Sequence, residues 1–345
     1  MVKVAVALSG GVDSAVTAAL LKQEGHQVLG VTMQVLPSID VNSAQLADTA
    51  KICEWLNIPH YVFDLRDAFA SMVIEDFCMQ YSRGRTPNPC VRCNQLIKFG
   101  YLLEKAMELE IDWMATGHYV RVGTNGARYT IRKGLDYAKD QSYFLCLLTQ
   151  KQLQYLQFPL GNRTKKDVRQ TAIELNLPVT EKKESQEICF IPDRDYREFV
   201  ASRLPSLRSE GPIVDRQGRI LGTHDGIINY TIGQRRRIGI PSREPIYVLS
   251  IRPAQNEIVV GTRNEVFGTE LVATSMNWIA CETPSSPFRA QVKIRNKHNE
   301  ARALVTPLTK DKIGVQFEEP QMAITPGQAA AVFQGDTLVG GGIIA

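Results

Sequence analysis

One stretch decides the fold: Val2-Lys3-Val4-Ala5-Val6-Ala7-Leu8-Ser9-Gly10-Gly11-Val12-Asp13-Ser14. Its apolar, β-branched first half predicts a buried strand, and the pattern of residues 14–24 predicts a helix. The two glycines between them can adopt positive φ angles and let backbone N–H groups approach an anion. The flanking serines add hydroxyl donors, and the helix points its positive end at the same spot. We therefore expect this loop to hold the phosphates of a nucleotide.

Outward from this loop, apolar strand patterns alternate with amphipathic helical patterns. Further strands are predicted at residues 27–33, 61–65 and 112–116, and further helices at residues 43–56, 69–81 and 94–109. Continuous apolar strands separated by helices indicate a parallel sheet covered on both faces. The fold class is therefore a doubly wound α/β domain, whose ligand lies beyond the carboxyl ends of the strands.

The pattern changes after residue 191, where glycine, proline and arginine punctuate short segments. Five short strands split by turns are then predicted, at residues 290–294, 301–305, 313–317, 329–333 and 337–341. This rhythm is typical of a small β-barrel. We predict an α/β adenylation domain at residues 1–200, a small central domain at 205–268 and a C-terminal β-barrel at 272–345. The boundary between the last two is expected near residues 268–275.

Composition favours an ordinary soluble enzyme. Of the 345 residues, 44% are hydrophobic and 22% are charged, and no apolar run approaches the ~18 residues that span a bilayer. We expect a cytoplasmic protein without a membrane partner. The net charge of +4 is mild, but basic residues cluster at 163–169, 235–237 and 289–312. Three such clusters favour a polyanionic partner, because each neutralised phosphate releases counterions.

The seven cysteines differ in their surroundings. The apolar neighbourhoods of Cys53, Cys78, Cys146 and Cys281 predict core packing, and a cytosolic protein is not expected to use a disulfide framework. The remaining three are set apart. Cys90 and Cys93 lie just before a predicted helix, where the helix dipole would favour a Cys93 thiolate, and Cys189 follows far along the chain. A low-pKa thiol paired with a distant thiol can carry sulfur as a persulfide and release the product by forming a disulfide.

The phosphate loop lacks the Gly-Lys-Ser/Thr of a Walker A motif and the Gly-x-Gly-x-x-Gly dinucleotide fingerprint. It resembles instead the PP-loop of the N-type ATP pyrophosphatases, which cleave ATP between the α- and β-phosphates and pass AMP to an acceptor oxygen. That resemblance implies the chemistry of ATP and leaves the acceptor open.

Longer motifs narrow the acceptor. They lie at residues 85–94, 115–119, 134–145, 188–192, 230–239 and 325–328. Through them the chain resembles the tRNA-specific 2-thiouridylase family along essentially its whole length. The resemblance implies ATP-dependent replacement of O2 of the wobble uridine, U34, by sulfur. It implies tRNA as a partner, with lysine, glutamate and glutamine acceptors, and a sulfur-donor protein that is a cysteine desulfurase or a relay carrier.

The same resemblance implies the roles of individual residues. ATP with Mg²⁺ would be held by ten residues: Ala7, Leu8, Ser9, Gly10, Gly11, Val12, Asp13, Ser14, Met33 and Gly117. The tRNA would contact Asn88, Pro89, Cys90, His118, Lys139, Asp140, Gln141, Arg295, Asn296 and Gln328, the first three against a base flipped out of its stack. Cys189 would carry the persulfide, and Cys93 would be the nucleophile or resolving thiol.

Two positions depart from the family pattern, and the first of them, Cys90, opens a rival mechanism. The family often has aspartate at the position of Cys90 and tyrosine at that of Asn296, so a carboxylate and a stacking contact are replaced. Cys90, Cys93 and Cys189 together resemble the three-cysteine set of iron–sulfur tRNA thiolases, which could hold a [4Fe–4S] cluster with one open iron. Zinc is a weaker interpretation, because a closed site needs a fourth ligand.

Two other functional classes compete with thiolation. An amidating synthetase would keep the PP-loop but would need an ammonia source, and it has no use for Cys93 and Cys189. A redox- or metal-sensing RNA-binding protein would use the cysteines but would leave the phosphate loop unexplained.

Overall fold

The first part of the chain is built on a parallel sheet. The structure, a computed structural model, describes residues 1–36, 41–180, 188–191 and 195–345. Five parallel strands lie in the order β3-β2-β1-β4-β7. They are β1 (Lys3–Ala7), β2 (Gln27–Gln34), β3 (His60–Asp64), β4 (Trp113–Ala115) and β7 (Leu156–Gln157). The chain order reverses between β1 and β4, which is the crevice where ligands bind in such sheets.

Alternate residues of β1 enter two different cores. Val4 and Val6 pack with the helix Val12–Gln23, whereas Ala5 packs with the helices on the opposite face. Both faces of the sheet are therefore covered, and the predicted doubly wound α/β fold is confirmed.

Nine α-helices are present among the described residues. They are α1 (Val12–Gln23), α2 (Val41–Trp55), α3 (Arg66–Phe69), α4 (Glu75–Ser82), α5 (Pro89–Arg92), α6 (Leu102–Met107), α7 (Gln150–Leu153), α8 (Lys165–Glu174) and α9 (Tyr196–Arg203). Two π-helical stretches join consecutive helices, Ala70–Ile74 between α3 and α4 and Cys93–Tyr101 between α5 and α6. Short 3-10 turns lie at Ser142–Leu145, Pro159–Asn162, Pro205–Arg208, Ile227–Asn229, Pro253–Gln255 and Asn264–Val266. In the described part of the chain, no helix is long and apolar enough to cross a membrane.

The middle of the chain forms a separate small sheet. Its strands are β8 (Gly211–Val214), β9 (Ile220–His224), β10 (Tyr247–Arg252) and β11 (Glu257–Gly261), in the order β10-β11-β8-β9. Only the β8–β11 pair in this sheet is parallel.

The last part is a closed antiparallel barrel, as predicted. Its strands are β12 (Phe267–Trp278), β13 (Phe288–Lys293), β14 (Ala301–Thr309), β15 (Lys312–Met322), β16 (Ala329–Gln334) and β17 (Thr337–Ile344). They follow the order β12-β15-β14-β13-β16-β17, and pairing of β12 with β17 closes the barrel. Residues 268–275, where a domain boundary was expected, lie inside β12. Their Gly, Thr and Ser are typical of connecting segments, but the backbone pairs with two neighbouring strands.

A hairpin that the sequence did not indicate ties the first part to the barrel. Strands β5 (Val120–Asn125) and β6 (Arg128–Lys133) extend the barrel sheet, since β6 pairs with β17. Two ion pairs flank this junction, Arg121–Asp336 at 3.0 Å and Lys133–Glu300 at 2.6 Å. The α/β domain and the barrel are thus joined by backbone hydrogen bonds as well as by side chains.

Candidate functional site

The phosphate loop leaves the end of β1 and enters the N-terminus of α1. Gly10 has a φ of +70°, and Gly11 is the extended residue that precedes the helix. The Ser9 amide donates to Ser14 Oγ at 3.2 Å, and Ser14 Oγ donates to the Gly11 carbonyl at 3.0 Å. These bonds curl the loop around the first turn of the helix. The fold therefore places the loop at the helix N-terminus and beside the crevice between β1 and β4.

Gly117 lies against this loop with no room for a side chain. A Cβ atom at Gly117 would come within 2.8 Å of the Asp13 carbonyl carbon and 2.9 Å of the Ser14 nitrogen. Met33 is near the carboxyl end of β2, in the same parallel sheet. The three segments predicted to hold ATP, residues 7–14, Met33 and Gly117, therefore meet at one edge of the sheet. Their contact with ATP stays a prediction.

Asp13 is held by two donors from distant parts of the chain. Lys165 Nζ donates to Oδ1 at 2.7 Å and to Oδ2 at 2.8 Å, and the Tyr119 hydroxyl donates to Oδ1 at 2.7 Å. The Lys165 ammonium also lies 5.8 Å from the centre of the Tyr119 ring. Lys165 is 9% exposed. The sequence had indicated it only as one member of a surface basic cluster, and its pairing with the loop was missed because 152 residues separate it from Asp13.

Lys165→Met is expected to lower the free energy of unfolding by about 2 kcal/mol. The reason is that the substitution leaves the Asp13 carboxylate without its cation in a half-buried site. Lys166→Met is the matched control, because Lys166 is the next residue of α8 and its side chain is exposed. Urea denaturation of both variants measures the difference, and equal midpoints would show that the Lys165–Asp13 pair adds no stability.

The cysteine helix begins earlier than the sequence indicated. Asn88 is the N-cap residue, its side chain accepts a hydrogen bond from the Val91 amide at 3.4 Å, and Pro89 is the first helical residue. Cys93 therefore lies in the second turn, and the expected thiolate stabilisation by the helix N-terminus is wrong for this residue. Burial raises the pKa of Cys93 to about 12, with Lys98 opposing the rise.

Cys90, Cys93 and Cys189 come together. Cys90 and Cys189 each present surface to solvent, whereas Cys93 is half-buried, and all three are free thiols. Loss of water contact and, to a smaller extent, the nearby Cys90 raise the pKa of Cys189 to about 11. Cys189 and Cys90 likewise raise the pKa of Cys93. The motif at 188–192 is described up to Ile191, and its Pro192 lies outside the described residues.

The three thiols do not form a metal site in this arrangement. Within the described ranges, no three His, Cys, Asp or Glu side chains are placed so that they could hold a metal ion. The donor set suits iron chemically, since thiolates are the ligands of iron–sulfur clusters. The geometry in this structure does not fit a cluster held by Cys90, Cys93 and Cys189.

The segment that follows β4 links the nucleotide loop to the cysteine helix. Gly117 contacts the start of α1, and the next residue, His118, packs 5.6 Å from the ring of Phe99 in the π-helical stretch. The His118 Nδ1 atom is hydrogen-bonded to Thr116 Oγ1 at 2.7 Å. Burial and the nearby Lys98 hold the pKa of His118 well below its ordinary value, so the ring is neutral.

The contact of His118 with tRNA stays a prediction, and the structure shows how its ring is packed. The side chain is 8% exposed and lies between two aromatic rings, those of Phe99 and Phe158. It serves as a packing element between the two halves of the site.

All parts of the fold converge on the chain just before the cysteine helix. The Thr86 amide donates to the Pro326 carbonyl at 2.9 Å, and Gln328 Nε2 donates to the Thr86 carbonyl at 2.7 Å. Both bonds come from the barrel. Gly84, with a φ of +66°, packs against Ile251 of the central sheet, where a Cβ would come within 2.9 Å. The approach to Asn88, Pro89 and Cys90 is thus fixed from two sides, and Gln328 contributes to the positioning.

The polar residues after β6 organise their own loop. Asp140 accepts hydrogen bonds from the Gly134 amide at 3.1 Å and from the Ser142 hydroxyl at 2.6 Å. Gln141 Oε1 accepts from the Tyr119 amide at 3.0 Å, and Lys139 is partly exposed. This loop is therefore coupled through Tyr119 to Asp13, and its contact with tRNA stays a prediction.

Arg295 and Asn296 differ in exposure. Arg295 Nη1 donates to the Met322 carbonyl at 2.7 Å, which ties it to the end of β15, whereas Asn296 is exposed. Of this pair, Asn296 has the more exposed side chain, and the contact of both residues with tRNA stays a prediction.

Comparison with known proteins gives matches over the whole chain. Residues 2–193 match the family described as tRNA methyl transferase HUP domain, residues 197–262 match the tRNA methyl transferase PRC-barrel domain, and residues 268–344 match the aminomethyltransferase beta-barrel domain. The chain is 46% identical to the tRNA-specific 2-thiouridylase MnmA of Geotalea uraniireducens, over 99% of this chain and 94% of that protein. It is 47% identical to tRNA-specific 2-thiouridylase MnmA 1 of Caldanaerobacter subterraneus, over 99% of this chain and 97% of that protein.

Solved structures give a more distant match. A 4-thiouridine synthetase in complex with RNA and ATP aligns with a TM-score of 0.36 and 15% identity, over 59% of this chain and 51% of that chain.

Proposed function

Because this chain belongs to the tRNA-specific 2-thiouridylase family, we propose that it uses ATP to replace O2 of the tRNA wobble uridine with sulfur carried on Cys189. The family makes it an ATP-dependent tRNA sulfurtransferase. The mechanism is supported by a chain of contacts that runs from the phosphate loop to the helix bearing Cys90 and Cys93. Gly117 touches the loop, and the adjoining His118 packs against the helix that bears Cys93.

In the first half-reaction, the uridine O2 attacks the α-phosphate of ATP and pyrophosphate leaves. The loop of residues 9–14 supports the phosphates through backbone amides at the N-terminus of α1. Mg²⁺ arrives with the phosphates as part of the substrate, and Asp13 is the loop carboxylate that can offer it an oxygen ligand.

In the second half-reaction, the terminal sulfur of the Cys189 persulfide attacks C2 of the adenylated base, and AMP leaves with the electron pair of the broken C2–O bond. The Cys93 thiolate then attacks the Cys189 sulfur. The S–S bond breaks, and its electron pair passes to the sulfur that stays on C2 as the thiocarbonyl. A disulfide between Cys93 and Cys189 remains, and a dithiol reductant must restore both thiols.

Cys90 occupies the position at which the family often has aspartate. Its exposed thiol lies near Cys93 and Cys189, and a thiol cannot act as a carboxylate base. We propose that the persulfide route does not require it, and that Cys90→Asp remains active.

The partners follow from this chemistry. We propose tRNAs for lysine, glutamate and glutamine as substrates, and a cysteine desulfurase or relay carrier as the source of sulfur. Because thiols stay reduced in the cytoplasm, we propose a cytoplasmic location.

The exposed arginines of the central domain supply a prediction about tRNA binding. Arg235, Arg236 and Arg237 are all exposed in a turn before β10. Replacing all three by alanine should weaken the binding of every tRNA to the same extent, by about tenfold or more near 0.15 M salt. The slope of log Kd against log salt concentration should fall by up to about three. Filter binding at several salt concentrations measures both, with Arg243→Ala on the same exposed loop as control. An unchanged salt slope would count against a phosphate contact.

One assay tests the function as a whole. The purified chain is incubated with ATP, a persulfide donor and unmodified tRNA, and the nucleosides and AMP are measured. We expect one 2-thiouridine for each AMP. Pyrophosphate release without sulfur incorporation would favour an amidating synthetase, and the absence of ATP turnover would favour a non-enzymatic RNA-binding protein.

A further inference from the structure

The helix that carries Cys90 and Cys93 is not α-helical throughout. Between α5 and α6, the nine residues Cys93–Tyr101 form a π-helix. At its end, the Leu102 amide donates to the Ile97 carbonyl, five residues earlier. Such stretches are rare and are found frequently at functional sites.

The wider turn changes which side chains are neighbours. In an α-helix, residues 93 and 98 would point about 140° apart, since each residue turns by about 100°. With i→i+5 hydrogen bonding, residues five apart lie on the same side of the helix, as residues four apart do in an α-helix. The π-helical stretch therefore brings Lys98 to the same face as Cys93.

Side chains from outside the helix hold this register. Gln152 Nε2 donates to the Gln95 and Phe99 carbonyls, both at 2.9 Å, and the amide oxygen of Gln152 is fixed by the Thr149 amide at 2.9 Å. The Lys98 ammonium is aimed by Asn94, whose Oδ1 accepts from Nζ at 2.9 Å. Asn94 is 4% exposed and itself donates to the Phe144 carbonyl at 3.3 Å.

The groups around Lys98 come from three elements. Cys90 and Cys93 belong to its own helix, Cys189 comes from the segment at 188–191, and His118 comes from the chain after β4. Lys98 lowers the pKa of all three thiols and that of the histidine. The neutral His118 cannot supply positive charge, and Arg92 on the preceding turn is engaged by Asp76 at 3.6 Å and Gln95 at 3.1 Å.

We propose that Lys98 is a positioning residue for sulfur transfer, whose ammonium stabilises the anionic sulfur on Cys189 and Cys93 in turn. This rests on the proposed function. The persulfide is an anion before it attacks C2, and Cys93 must be a thiolate when it attacks Cys189. The negative charge thus moves among sulfur atoms that all lie near one fixed cation, and no new charge has to be buried during the transfer.

The test compares three variants of the full chain. Lys98→Met removes the charge, Lys98→Arg retains it, and Lys105→Met removes an exposed lysine of the same helix that pairs with Glu108 at 2.8 Å. Each variant reacts with iodoacetamide between pH 7 and 9, and mass spectrometry of the separate cysteine peptides gives the rate at Cys93 and Cys189. Melting temperatures verify folding.

In the Lys98→Met variant, iodoacetamide should alkylate Cys93 and Cys189 at least about threefold more slowly at pH 8 than in the parent chain. Removing the nearby positive charge raises the pKa of each thiol by about one unit or more, which lowers the fraction present as thiolate. The higher nucleophilicity of the remaining thiolate offsets part of this fall in rate. Lys98→Arg and Lys105→Met should stay within about twofold of the parent chain. Parent-like rates in a folded Lys98→Met, or equal slowing in Lys98→Arg, would overturn the proposal. Because alkylation needs neither ATP nor tRNA, failure of the parent chain to make 2-thiouridine would instead count against the proposed function.

Discussion

Cys189→Ser is expected to reduce 2-thiouridine formation by at least about a thousandfold, because a serine hydroxyl cannot carry a persulfide. The first half-reaction does not involve this residue. A first turnover of pyrophosphate release, dependent on unmodified tRNA, should therefore persist. Quench-flow measurement of pyrophosphate and nucleoside analysis of the same samples separate the two steps.

Cys93→Ser should reduce 2-thiouridine formation to a similar extent, but the reaction should stop at a later step, after sulfur has reached C2. Without the resolving thiol, the sulfur on C2 stays joined to Cys189, so tRNA becomes linked to the protein. Dithiothreitol should cleave this bond and release thiolated tRNA. Cys281→Ser is the control, since Cys281 is a half-buried free thiol of the β12–β13 connection. A Cys93→Ser chain that turns over normally would contradict the resolving role.

Gly117→Ala has the next largest expected effect, a loss of ATP affinity of at least about a hundredfold, or ~2.8 kcal/mol. The added methyl would meet backbone atoms of Asp13 and Ser14 at 2.8 and 2.9 Å. Backbone at the start of a helix cannot turn aside as a flexible side chain can, so the phosphate loop must shift. Calorimetric titration with a non-hydrolysable ATP analogue measures the loss.

Gly123→Ala provides the matched control for this change. Gly123 lies on β5, and a Cβ there would meet only the Thr130 hydroxyl at 3.7 Å, which is an ordinary contact. Its ATP affinity should equal that of the parent chain. If Gly117→Ala also binds ATP normally, the nucleotide site does not lie where the loop and Gly117 meet.

Local patterns predicted the parts of the fold that depend on neighbouring residues. The glycine loop, the strands on either side of it and the barrel strands were identifiable because their apolar periodicity or turn chemistry is contained within a few residues. The convergence of Cys90, Cys93 and Cys189 followed from a family resemblance, since no local pattern joins residues so far apart.

Tertiary contacts decided what the sequence could not indicate. The β5–β6 hairpin is stabilised by pairing with β17, at the far end of the chain. His118 is buried by Phe99 and Phe158, which are distant in sequence, so the residues next to it could not predict its burial. The low pKa expected for Cys93 failed because the helix starts at Pro89, which moves this thiol away from the helix end and into the protein.

The route of the sulfur is tested most directly by a single turnover without reductant. The chain is purified free of iron, its Cys189 is loaded with isotopically labelled persulfide, and unmodified tRNA and ATP are added. One labelled 2-thiouridine should form per loaded chain, and peptide mapping should find one new disulfide between Cys93 and Cys189. Labelled 2-thiouridine without that disulfide, or product only after iron and sulfide are restored, would contradict the persulfide mechanism.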